Sequence, residues 1–106
     1  MEIQRFSEVA RFDPNKFIHI PIFSSDRTKV LLLCLSAGLT VPPHSHPGYE
    51  VTLQPLHGKA NLPLHDGSTL LLEPGMFITL DGAAAFNPSN PFNHDFEMLI
   101  HLIRAT

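Results

Sequence analysis

This chain has little of several things at once. Its 106 residues include one cysteine, one tyrosine and no tryptophan. A single thiol, Cys34, cannot close an intrachain disulfide, so a disulfide scaffold is excluded and a reducing compartment fits. Lying in Val30-Leu31-Leu32-Leu33-Cys34-Leu35, it reads as a small buried hydrophobe. Charged residues make up only 16% of the chain, with a net charge of -3. The basic residues Arg5, Arg11, Lys16, Arg27, Lys29, Lys59 and Arg104 are scattered, and without a basic stripe no nucleic-acid partner is expected. The longest unbroken apolar run, residues 30–35, is far too short to cross a bilayer. Residues 1–12 hold no apolar stretch of signal-peptide length. The expectation is a cytoplasmic protein with no membrane partner. No nucleophile elbow, phosphate loop or usefully spaced Cys-His pair is present.

What is abundant points to short strands around an apolar interior. There are ten prolines and eight phenylalanines, and hydrophobic residues make up 43%. That is the composition of one globular domain, long enough for a single core. Ile3, Phe6 and Val9 are spaced by three, and Ser7-Glu8 can open one helical turn, which Pro14 limits. Residues 1–16 read as an N-terminal extension and residues 17–103 as a barrel. Within it the pattern predicts strands at 17–23, 27–35, 41–46, 49–56, 59–65, 68–73, 76–80, 83–86 and 96–103. Asp66-Gly67, Pro74-Gly75 and Asp81-Gly82 mark turns between them. Eight or nine short strands with frequent turns and no long helical period predict an all-β, antiparallel sandwich or barrel. The strand at 27–35 is apolar on both faces at its centre, as is the run 98–103. Such strands need cover on both sides, which predicts a homodimer.

The most informative stretch is Gly38-Leu39-Thr40-Val41-Pro42-Pro43-His44-Ser45-His46-Pro47-Gly48-Tyr49-Glu50. Residues i and i+2 of a strand share a face, so His44 and His46 can aim at one point. Pro47-Gly48 supplies a turn, Pro fixing φ and Gly accepting a positive φ. The returning chain can then bring Glu50 beside the two imidazoles. Two imidazoles and a carboxylate suit a divalent transition metal such as Fe, Mn, Ni or Zn. With seven histidines in the chain, a lone His-x-His says little. The whole pattern has a chance expectation on the order of 0.001.

This stretch resembles the first motif of the cupin superfamily, Gly-x5-His-x-His-x3,4-Glu-x6-Gly. The resemblance implies a jelly-roll β-barrel with His44, His46 and Glu50 as metal ligands. The closing glycine comes one residue late, at Gly58, as a bulge would allow. The second cupin motif, Gly-x5-Pro-x-Gly-x2-His-x3-Asn, aligns from Gly75. It places Asp81 at the proline, Ala83 at the glycine, Phe86 at the histidine and Asn90 at the asparagine, with Gly82 one residue from serving the turn. Phe86 thus stands where the family's fourth ligand would be and cannot ligate. His94 and His101 are the candidates to replace it. The motifs span residues 38–90, about half of the chain.

With Glu50 inward, alternation puts Thr52 and Gln54 inward too, and Phe86 beside them. These three are the expected pocket for a small-molecule ligand. His19, His57 and His65 read as solvated. Three functions stay open. One is a metal-dependent small-molecule enzyme, dioxygenase- or isomerase-like, on a 2-His-1-carboxylate site. The second is a non-catalytic binding module for a sugar or other metabolite. The third is an idle scaffold. No general acid or base stands out.

Overall fold

The computed structural model describes residues 1–105. One short helix, α1 (Phe6–Val9), precedes seven strands: β1 (Ile18–Ser24), β2 (Thr28–Leu35), β3 (Tyr49–His57), β4 (Ala60–Pro63), β5 (Thr69–Leu72), β6 (Ile78–Asp81) and β7 (Phe96–Arg104). The main sheet runs β1-β2-β7-β3-β6, with every neighbour antiparallel. β4 and β5 form a second, two-stranded sheet. Isolated bridges widen that second layer, joining Thr40 to Ser89, Asn61 to Ser89 and His44 to Phe86. The result is the expected all-β, antiparallel jelly-roll architecture.

Two of the expected strands, 41–46 and 83–86, are reduced to bridges. Each is broken by its own sequence. Pro42 and Pro43 lack the N–H groups that a ladder needs, and Ala84 is held in the turn that follows β6 by its N–H donating to the Asp81 carbonyl. His44 and Phe86 still exchange both backbone hydrogen bonds, at 3.4 and 3.0 Å, so the two segments lie side by side without being long strands.

Strand β2 explains how the molecule is layered. Leu33 and Leu35 point into the main core with Val51, Leu53, Phe96, Met98, Ile100 and Leu102. Leu32 and Cys34 point the other way, into a second cluster with Ile20 and Leu99. Phe6, Val9, Ala10 and Phe12 pack onto that second cluster. Over this part of the sheet, the cover expected from a second copy is supplied by the chain's own N-terminal segment. Burying a Leu or Phe side chain contributes roughly 1.5–3 kcal/mol, so both faces of β2 add to stability. Burial also raises the Cys34 thiol pKa, as expected of a packing residue.

The loop between β6 and β7 is clamped by Asn90, which is almost fully buried. Its Nδ2 donates to the Leu35 carbonyl at 2.9 Å and to the His94 carbonyl at 2.8 Å, while its Oδ1 accepts from the Phe92 N–H at 3.1 Å. The asparagine of the second motif is thus a structural clamp. Asn90→Ala removes three hydrogen bonds and strands a buried carbonyl. It should cost about 3 kcal/mol, read as a lower urea midpoint at unchanged slope. A loss under about 0.5 kcal/mol would show that the clamp is dispensable.

Candidate functional site

The turn after His46 forms as its sequence predicts. The Tyr49 N–H donates to the His46 carbonyl at 3.1 Å across Pro47-Gly48, with Gly48 at φ +86°. Gly82 seats this turn: the His46 N–H donates to the Gly82 carbonyl at 2.6 Å, and the Gly82 N–H donates to the Tyr49 carbonyl at 2.8 Å. A Cβ at Gly82 would fall on the carbonyl oxygens of His46 and Tyr49. Only glycine permits this approach, so Gly82 fixes the position of the histidine segment.

His44 and His46 come together as expected, with ring centroids 5.0 Å apart and nearly perpendicular planes. Phe86 is buried against them, 4.9 Å from the His44 ring and 6.2 Å from the His46 ring. The His44 ring is oriented by its Nδ1, 3.1 Å from the Pro42 carbonyl.

Glu50 does not join them. β3 pairs with β7 so that Val51 and Leu53 enter the main core and Tyr49 packs against it. Strand alternation then turns Glu50, Thr52 and Gln54 to the opposite face. Glu50 and Gln54 are exposed there, and Thr52 is partly exposed. The expectation that all three point inward is therefore reversed by one residue of parity. The late glycine already carried the signal. Counted with the motif's four-residue spacing, the carboxylate position falls on Val51 and Gly58 arrives on time. β3 also carries a bulge, between Pro55 and His57.

On the outer face, Glu50, Thr52, Thr79, Asp81 and Ile103 help to line an open groove of about 670 Å³. A smaller, mainly apolar pocket of about 190 Å³ lies between β4, β5 and β6, and Phe86 forms part of its wall. Neither cavity is lined by His44 or His46.

The candidate replacements for the fourth ligand also lie elsewhere. His94 stacks on Phe92, and His101 sits opposite Thr52 on the outer face. The histidine that does approach is His19, which was expected in solvent. Its ring centroid is 6.2 Å from that of His44, and it packs edge-on against Phe17 at 5.2 Å. Its Nε2 is buried without a hydrogen-bond partner. The alternation Ile18-His19-Ile20 was the available sign: Ile20 belongs to the outer cluster, so His19 must face the other way.

Among the described residues, no group of three His, Cys, Asp or Glu side chains is arranged to hold a metal ion. Val51 stands at the motif's carboxylate position and Phe86 at its fourth-ligand position. The 2-His-1-carboxylate set does not fit this structure, and two imidazoles remain of it.

No family model matches the chain, and no curated protein matches it. Solved structures do. The chain superposes on TT1209 from Thermus thermophilus with a TM-score of 0.88 at 27% identity, covering 98% of each chain. An RmlC-like cupin protein from Desulfovibrio desulfuricans gives 0.85 at 19% identity, covering 97% of this chain and 96% of that one. A conserved protein with a double-stranded β-helix domain from Klebsiella pneumoniae gives 0.89 at 16%, covering 100% and 92%. The chain is a cupin-fold protein, as its first motif implied.

Burial lowers the pKa of His19, and the neighbouring His44 and His46 lower it further. Burial also lowers that of His46, followed by His44 and Lys29. An unfolded chain releases these imidazoles to their ordinary value of 6.5, so it takes up protons first as pH falls. Stability should hold above about pH 6.5 and decline below it. His19→Gln should flatten that decline in thermal melts across this range. An unchanged pH slope in the variant would contradict the assignment.

Proposed function

We propose that this protein binds a small molecule at the end of the barrel where His19, His44 and His46 meet Phe86, and that binding needs no metal. The observation that carries this reading is the inward position of Val51 with Phe86. Apolar side chains occupy both places where the motif needs a carboxylate and a fourth ligand, while the pair of histidines persists. Nonpolar walls with a few convergent polar groups are the usual character of a small-molecule site. His44 and His46 are partly exposed and lie beside a buried aromatic ring, and His19 adds a ring nitrogen with no partner in the protein. Such imidazoles can donate or accept hydrogen bonds to a ligand, according to tautomer. The 190 Å³ pocket shares Phe86 as wall, so an apolar ligand group has room nearby.

A metabolite screen followed by NMR of the imidazole protons tests the reading. Binders should shift the His19, His44 and His46 signals together, and should do so equally in excess EDTA. His44→Ala should weaken them about tenfold, the worth of one good hydrogen bond to the ligand. Binding abolished by EDTA and restored by a transition metal would overturn this in favour of a metal-dependent enzyme.

A further inference from the structure

We propose that the ligand is an anion, its carboxylate or phosphate group held by Lys29 and Arg104 at the rim of the barrel and its body lying against His44, His46 and Phe86. This rests on the binding site proposed above and adds the chemical class of its occupant. The placement comes from the strand register. Lys29 pairs with Leu102, and Leu102 belongs to the inner core. Arg104 pairs with Tyr49, which packs on that same core. Directly paired residues share a face, so both basic residues stand on the inner side of the sheet at one end. Both are exposed, as rim residues must be. Arg27 lies across from Arg104, its carbonyl accepting the Arg104 N–H at 2.7 Å.

His46 stands at this end, its carbonyl accepting the N–H of Tyr49, the partner of Arg104, and His44 lies beside it, while His19 faces Leu33 further along β2. Arg104 lowers the pKa of the Tyr49 phenol and Lys29 lowers it further, and Lys29 also acts on His46, after burial and His44. No acidic side chain is among the charges acting on His19, His46 or Tyr49. Among the described residues the one ion pair is Arg5–Glu8, and neither Lys29 nor Arg104 takes part in one. Among the described residues, Lys29 and Arg104 thus share one end of the inner face with His46, and neither base is held in an ion pair. An arginine fork and a lysine ammonium are the donors that suit carboxylate and phosphate oxygens.

The test uses the full chain, with benzoate and inorganic phosphate as probes and benzamide as a neutral isostere. It is run above the pH at which imidazoles titrate, following the His44, His46 and Tyr49 ring signals by NMR. At least one of the two anions should give saturable shifts that weaken with added salt. Lys29→Gln and Arg104→Gln, both exposed and so tolerated by the fold, should each weaken binding about tenfold, whereas Lys29→Arg should keep it within about threefold. Benzamide binding as tightly as benzoate, with the same shifts, would overturn the anion inference and leave the site standing. No shift with either anion, or shifts indifferent to Lys29→Gln and Arg104→Gln, would also overturn it. The metabolite screen then judges the site separately.

Discussion

The parity of one strand governs this molecule. β3 lies between the central strand β7 and the edge strand β6 of the main sheet, and its register sends Tyr49, Val51 and Leu53 toward the core. The burial of Val51 and Leu53 among the leucines and methionine of β2 and β7 holds that register. A slip by one residue would bury Glu50 in their place, an uncompensated charge in an apolar interior. The same register that stabilises the barrel removes the carboxylate from the histidines.

Much of the fold was legible in the residues. The turns at Pro47-Gly48 and Asp66-Gly67, the double-sided run of β2 and the closing strand all appear where their patterns predict. The same holds for the pairing of His44 with His46 and the inward position of Phe86. Direction along β3 was not legible, because Tyr49-Glu50-Val51-Thr52-Leu53-Gln54 alternates cleanly and either face can be the buried one until a partner is known. The apolar set Val51 and Leu53 argued for one face, and the motif's shorter spacing argued for the other. Hydrophobic burial decided. His19 was missed because its placement depends on what covers Ile20, and that cover is the N-terminal segment, whose docking is a tertiary event. Lys29 and Arg104 looked scattered because they are far apart in sequence and meet through the β2–β7–β3 pairing.

The cupin scaffold here keeps its two first-motif histidines while its other two motif positions carry Val51 and Phe86. Gly82 and Asn90 survive for structural reasons, one seating the histidine turn and the other clamping the loop that delivers Phe86. What remains of the motif's ligand set is the pair His44 and His46 beside the Phe86 ring. The outer groove is lined by the acids Glu50 and Asp81 and reaches Tyr49 at the same edge of β3.

The central claim is that Glu50 and the histidines lie on opposite faces. Calorimetric titration of the wild type and of Glu50→Ala with Zn²⁺ tests it most directly. Equal affinities, however weak, are predicted, since Glu50 lies out of reach of the imidazoles. A loss of about tenfold or more in Glu50→Ala, the usual worth of a carboxylate ligand or its close support, would contradict it.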